Sequence, residues 1–358
     1  MNKPQKATIV SIARKANVSR ASVYAVLNAT KNINIKVGEK TRKRIIKVSE
    51  EMGYVRNESA RSLVTGKNNT IGIMLTDMDN QFFRPMLDEI YNISDERGYS
   101  VAVSLCFWNA ERERLHLSKF CGNRVEGIIW APTRPDGRDF DRCIKLIESV
   151  GIPVVLLGIF NRRKSGSLHQ VGTSQEEAIR VGMEYLAKLG HRNIGILTAR
   201  HAKGKKGEFH VERFEAMSSI AGMCGINVAD EYTFDVEDCQ YGGVGVASEI
   251  FRKPKSSWPT AIFAADDLLA RGLIAGLSCL GVKIPDEISI LGYDDAPGDE
   301  NSTVPLTSIS LKADELGKAS LNLLLDIVGR KIPLEPARKI LLPPQLVERK
   351  SCSVPRQK

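Results

Sequence analysis

TIVSIARKANVSRASVYAVLN, residues 8–28, carries two apolar stripes separated by a polar turn. Ile12, Ala13 and Ala16 fall on one narrow face of a short helix, for which Thr8 is an N-cap. Asn17 follows where that helix must end, and Asn tolerates the left-handed conformation better than any residue except Gly. Val18 plugs the turn and Ser19 caps a second helix. There Val23, Val26 and Leu27 face back onto the first helix, which leaves Arg20, Ala21, Tyr24 and Ala25 facing out. Two short helices, a tight turn and a non-acidic outer face describe a helix-turn-helix, a pattern that an ordinary helical hairpin shares.

The charge around this stretch separates the two readings. Residues 1–66 hold 14 Lys and Arg against 4 Asp and Glu, while 67–358 hold 37 against 38, so the chain's net +9 is all located here. A basic segment joined to a neutral remainder points to a polyanion, nucleic acid first, rather than to a merely solvated face. A polar, Lys- and Asn-rich connection (29–36) leads to a third helix over roughly 39–52. Ile45, Ile46, Val48, Ser49 and Met52 supply its buried stripe and Gly53 ends it. NESARSLVTG (57–66) is a further helix of barely two turns, marginal without a partner. Its Leu63 is either a contact with the following domain or a wedge for the minor groove of a duplex.

From residue 70 the texture changes to strand-forming runs alternating with amphipathic helices. Strands are expected at 71–76, 99–105, 125–132 and 153–160, with helices at 85–97, 111–121 and 139–150. A basic break, NRRKSGS (161–167), precedes a second series: helix 175–189, strand 193–199, helix 209–223, strand 231–235, helix 242–252, strand 260–265, helix 267–280, strand 288–294. Two such series imply two doubly wound parallel-sheet lobes, with a ligand held between them outside the carboxyl ends of the strands. With 358 residues the chain has room for two or three domains, and 42% hydrophobic with 26% charged residues is ordinary for a globular protein. Its apolar runs are too short to span a bilayer, and MNKPQKATIV has no apolar core of a secretory signal. Seven scattered Cys without a CxxC pair are expected to be reduced, in a cytoplasmic protein.

Several ordered motifs then carry a resemblance. They are IAxxAxVSxxxV…LN (12–28), ARSL (60–63), IGI (71–73), PTAIFAADDLLARG (259–272), GVKIPDEISILGYDD (281–295), PLTSI (305–309) and LLPPQLVER (341–349). In these the chain resembles the LacI/GalR family of bacterial transcriptional repressors over nearly its whole length. The resemblance implies an all-α helix-turn-helix headpiece (1–56), a hinge helix and linker (57–69), and a periplasmic-binding-protein-like α/β core (70–350). Its first lobe would take about 70–166 and 302–333, its second about 167–301 and 334–350. It also implies a homodimer on near-palindromic, double-stranded operator DNA. Arg20, Ala21, Ser22, Tyr24 and Ala25 would face the bases, and Thr8, Ser19, Asn28 and Tyr54 the phosphates. Arg61 would add salt-dependent attraction, and Leu63 would be the wedge.

For a small effector, sugar-like in most of the family, the resemblance puts Phe82, Phe83, Arg213, Asp266 and Asp294 at the cleft. Trp130 joins them as the end residue of a strand at the cleft mouth. Two carboxylates and an Arg would clamp hydroxyls or a polar edge. Core packing accounts for the aromatics equally well; Asp294 is equally suited to cap the loop after its strand, and Asp266 to pair with Arg271. The chain departs from the family at Asn17 (usually Gly), Ala25 (often Arg or His), Gly38 (Ser), Arg56 (Pro), Ser174 (Asp), Asp266 (Asn) and Ala216 (Gly), and in a longer connection before the third helix. The core changes cluster around the cleft and make a standard hexose a poor expectation.

Two other functions remain to be weighed. A nucleotide-dependent α/β enzyme would need a phosphate loop. GGVGVAS (242–248) opens a late helix without the expected strand and final Gly, and KGKKGE (203–208) lacks the Lys-Ser/Thr pair. HExxH, GxSxG and clustered His or Cys are absent, so no catalysis, cofactor or metal is expected. A periplasmic binding protein would share the two lobes but not the basic headpiece. The tail ERKSCSVPRQK has no leucine heptads for a tetramer.

Overall fold

The computed structural model describes residues 7–28, 35, 37–54, 68–78, 81–133, 138–158, 168–199, 208–236 and 239–356, with the backbone alone at 28, 208–212 and 239–240. The chain divides into two compact units, Met1–Asn68 and Asn69–Lys358.

In the first unit, α1 (Ile9–Ala16) begins in a capping box. Thr8 Oγ1 accepts from Ser11 N, and the Ser11 side chain answers the Thr8 N–H. It ends on Asn17 at φ 50°, ψ 55°, where Asn17 N–H donates to Arg14 O and Val18 N–H to Ala13 O, a Schellman closure. α2 (Arg20–Asn28) is capped by Ser19, whose hydroxyl accepts from Ser22 N. α3 (Glu39–Glu51) starts at Gly38 with no side-chain cap and closes like α1, with Gly53 left-handed at φ 60° and Tyr54 N–H on Ser49 O. Ile12, Ala13, Ala16, Val23, Val26 and Ile45 form the core, with Val18, Leu27, Val48 and Met52 half-buried around it. Ile46, expected inside, is 38% exposed: Ile45 and Ser49 take the inner stripe, one helical turn apart, and Ile46 lies beyond its edge.

Asn17 explains how the turn works without Gly. Asn17→Gly is expected to leave headpiece stability unchanged or slightly raised. Asn17→Val, β-branched at φ 50°, is expected to cost about 1–2 kcal/mol. Thermal unfolding of the two variants checks both.

The second unit holds two six-stranded sheets. Sheet 1 is built from β1 (Thr70–Leu75), β2 (Ser100–Leu105), β3 (Gly127–Trp130), β4 (Val154–Leu157), β5 (His169–Gly172) and β11 (Lys339–Leu341). All are parallel, in the order β11-β5-β4-β3-β1-β2. Sheet 2 is built from β6 (Asn193–Ala199), β7 (Asn227–Val236), β8 (Ala261–Ala264), β9 (Ser289–Asp294), β10 (Thr307–Ser310) and β12 (Gln345–Val347). Its order is β12-β10-β9-β8-β6-β7, and only β12 runs antiparallel.

Helices cover both faces of each sheet, as parallel sheets require. On sheet 1, α4 (Phe83–Glu96) and α11 (Ala313–Val328) pack on one face, α5 (Ala110–Gly122) and α6 (Arg138–Val150) on the other. On sheet 2, α7 (Gln175–Leu189) and α8 (Glu208–Met223) oppose α9 (Cys239–Phe251) and α10 (Asp267–Cys279). No helix among the described residues is long and apolar enough to cross a membrane.

The lobe boundaries differ from the expected ones. His169 pairs with Val155, so 169–172 belongs to sheet 1, not to the second lobe. Thr307 pairs with Leu291, so 307–310 belongs to sheet 2, and Lys339 pairs with Gln170, which puts 339–341 in sheet 1. The chain therefore crosses after Gly172, after Ser310 and after Leu341. The three short strands HQVG, TSIS and KIL carry polar side chains and little apolar patterning, which is why their pairing escapes a hydrophobic reading. The break at 161–167 lies outside the described residues.

Candidate nucleic-acid interface and effector site

Ser19, Arg20 and Ala21 are exposed at the start of α2, and Ser22, Tyr24 and Ala25 are half-buried on the same helix. The first turn of α2 contains no acidic residue, so Arg20 and the positive end of the helix dipole act in the same sense toward an anion. Arg14, Lys40, Arg42, Lys43, Arg44 and Lys47 are exposed on the neighbouring helices, and Lys15 pairs with Glu51 at 3.4 Å. Thr8 spends its hydroxyl on the α1 capping box, and Tyr54 packs half-buried against the headpiece core. The Asn28 side chain, Arg61 and Leu63 lie outside the described residues.

In the second unit, three of the expected effector residues converge at the carboxyl edge of sheet 2. Asp266 follows β8, Asp294 ends β9, and Arg213 reaches them from α8; they are 5%, 6% and 7% exposed. Arg213 Nη1 donates to Ala265 O at 2.5 Å and Nε to Gln175 Oε1 at 3.2 Å, with the guanidinium 4.3 Å from the Tyr293 ring centroid. A buried cation is thus fixed in plane by two acceptors and an aromatic face. Burial pushes the Tyr293 hydroxyl up to about 12 against the opposing pull of Arg213, so the ring stays neutral. Asp266 Oδ1 accepts from Leu269 N at 2.8 Å and so caps α10. Its expected alternative partner, Arg271, instead holds Pro297 O at 3.0 Å and lies 3.7 Å from Asp299.

On the sheet-1 side, Phe82 and Phe83 follow β1. They meet edge to face with centroids 5.2 Å apart and pack half-buried against the sheet-1 core. Trp130 corrects the expectation of a residue at the cleft mouth. It is fully buried, stacks on Phe140 at 5.1 Å, and donates its indole N–H to Glu113 Oε1 at 2.9 Å. The ring is large enough to complete the core between sheet 1 and α6, and Glu113 satisfies its one polar atom. Glu113 also accepts from Thr133 N at 2.8 Å, and burial holds its carboxyl above the usual range.

Sequence reasoning missed Gln175 and Tyr293, the two side chains that set the Arg213 plane. Gln175 follows the capping Ser174 and Tyr293 precedes Asp294, so adjacency was their only signal. Glu113 was hidden in the charged run AERERLH, which reads as a solvated face. Among the described residues no group of three His, Cys, Asp or Glu is arranged to hold a metal ion. The run GGVGVAS lies inside α9, where Gly243 packs against the backbone of α10 and binds no phosphate loop.

Residues 8–57 match the family described as bacterial regulatory proteins, lacI family, and residues 183–352 match the periplasmic binding protein-like domain. The chain is 27% identical over 353 residues to the HTH-type transcriptional repressor PurR of Salmonella paratyphi B, covering 96% of each. Among solved structures it matches the lac repressor dimer bound to operator and the anti-inducer ONPF, with a TM-score of 0.79 at 23% identity over 98% of this chain and 100% of that one. A LacI family regulator from Enterococcus faecium with bound ribose matches with a TM-score of 0.66 at 25% identity, over 80% of this chain and 99% of the other. A DNA-reading family segment at the start, a binding-protein segment after it and a repressor relative aligned almost end to end leave one placement: the chain belongs to the LacI/GalR family of bacterial transcriptional regulators.

Proposed function

We propose that the protein is a dimeric, cytoplasmic repressor that binds double-stranded operator DNA through its headpiece and answers to a small effector held between the two core lobes. The observation that carries the DNA reading is the capped α1–turn–α2 unit, with Arg20 and Ala21 exposed on α2, in a segment that holds the chain's entire charge excess. Arg20, Ala21, Ser22, Tyr24 and Ala25 face base edges, Thr8, Ser19, Asn28 and Tyr54 approach phosphates, and Arg61 and Leu63 engage the minor groove. The relatives supply the precedent for an operator-bound dimer and for a bound sugar. The effector sits against Arg213, Asp266 and Asp294 on one side and Phe82 and Phe83 on the other. A cation between two carboxylates suits a polyol or a ring with several hydrogen-bonding edges. The protein then regulates without catalysing.

The test is selection of the full chain on a pool of randomised duplexes. Recovery of a near-palindromic sequence is expected, with affinity that falls steeply as salt rises, because phosphate contacts release counterions. Failure to enrich any sequence, or binding indifferent to salt between about 50 and 200 mM, would overturn the reading.

A further inference from the structure

Directly behind Asp266 and Asp294 lie two carboxyl groups that the effector site does not use. Asp267, the first residue of α10, and Asp299, in the short 3-10 turn Asp299–Asn301, are both completely buried. Asp267 is well served: Oδ1 accepts from Ser308 Oγ at 2.6 Å and Oδ2 from Ala296 N at 2.8 Å. Asp299 is not. Neither of its oxygens finds a hydrogen-bond donor in the protein, and its nearest cation, Arg271, stands 3.7 Å away. What its carboxyl does reach is the carboxyl of Asp267. Two acceptors cannot bond each other unless a proton lies between them.

The segment these groups hold is strained. Asp294 and Asp295 are consecutive non-Gly residues at φ 111° and 55°. Such backbone persists only where the surroundings over-determine it, and it gathers at functional sites. Here Arg349 holds Asp295 at 2.8 Å, Ser308 Oγ accepts from Asp295 N at 3.1 Å, and Arg271 holds Pro297 O at 3.0 Å.

We propose that Asp267 and Asp299 share one proton, and that this proton clamps the 295–301 segment to the start of α10, making the geometry of the adjoining effector residues pH-dependent. The link to the effector rests on the reading of Asp266 and Asp294 given above; the clamp itself does not. The groups facing the pair are Asp294 and Asp295 from the end of β9, Arg271 from α10, and Arg349 from the chain beyond β12. Burial drives the Asp267 carboxyl well above the carboxylate range, with the charges of Asp299 and Asp294 adding to it. Burial likewise lifts Asp299 from 3.8 to about 6, against the opposing pull of Asp267, Arg271 and Arg349. The native chain thus keeps a proton that the unfolded chain gives up near pH 4. Stability from this group is full below that point and is lost as pH rises through about 6.

Hydrogen exchange on the full chain, without effector, tests the clamp. After correction for intrinsic rates, amides of 295–306 are expected to open about 100-fold more often at pH 7.5 than at pH 4.5, the ratio that a shift of about two units supports. In Asp299→Asn, an amide donates permanently to the Asp267 carboxylate, and the pH dependence is expected to vanish with the segment held closed. Wild-type exchange that does not change with pH overturns the proposal whether or not the variant folds. So does an identical pH dependence in the variant. Because no effector is present, failure of the clamp leaves the effector reading standing, and the reverse holds.

Discussion

Gly243→Val is expected to lower the stability of the second unit by about 3 kcal/mol or more, with a fall in Tm of about 6 °C or more. α9 and α10 approach each other across this residue without side chains between them. A Cβ on Gly243 would lie 2.3 Å from Leu269 O and 2.6 Å from Leu273 N, both backbone atoms of α10. No rotamer change relieves such a contact, so one helix must move, and both are anchored in the sheet-2 core through Val246, Ile250, Leu269 and Leu273. From the other side, a Cβ on Gly276 would meet Ala247 Cβ at 2.6 Å. Gly245, two residues along α9, has open space where its Cβ would be. Gly245→Ala is therefore expected to be neutral or to gain up to about 1 kcal/mol from helix propensity. Equal melting temperatures for the two variants would show that the helices do not pack through Gly243. Because α10 begins at Asp267, any shift forced by Gly243→Val also displaces the carboxyl edge of sheet 2.

That contrast marks where the sequence is legible. Helix 175–189 and strand 193–199 stand in the structure at their expected residues, because each pairs a clear period with a clear boundary: Ser174 caps the helix and Gly190 ends it at φ 102°. The headpiece is legible for the same reason, with Thr8, Asn17 and Ser19 punctuating its apolar stripes. The elements that define the lobes are not. α11 begins at Lys312 in a left-handed conformation with no side-chain cap, so no start signal precedes it. β10 is TSIS, whose hydroxyls are satisfied only by distant partners, Ser308 by Asp267 and Thr307 Oγ1 by the Arg349 N–H. A local pattern cannot reveal partners that lie 41 and 42 residues away. The site is split in the same manner. Asp266, Asp294 and Arg213 were readable through their motifs, whereas Gln175, Asp299 and Glu113 take their meaning from burial, which only the fold supplies.

Arg213→Met is expected to weaken effector binding by about 100- to 1,000-fold while leaving the chain folded. The figure follows from what the guanidinium does: a buried, hydrogen-bonded charge is worth about 2–5 kcal/mol to the partner it addresses, and each charged hydrogen bond about 1.5–3. Met keeps the length and the apolar contact over Tyr293 but returns nothing to Ala265 O or Gln175, and it leaves Asp266 and Asp294 without the cation fixed at their edge of the sheet. The effector must then satisfy two buried carboxylates alone. A thermal-shift panel of sugars, sugar phosphates and nucleosides on the full chain identifies a compound that raises Tm, since a ligand bound only by the native state must do so. Titration of that compound into Arg213→Met supplies the comparison. Asp266→Asn sharpens it, because Asn still caps α10 as Asp266 Oδ1 does for Leu269 N, so stability should hold while affinity changes. If Arg213→Met binds the compound as tightly as the parent chain, the effector does not sit at this edge of sheet 2, and the convergence of Arg213, Asp266 and Asp294 is structural.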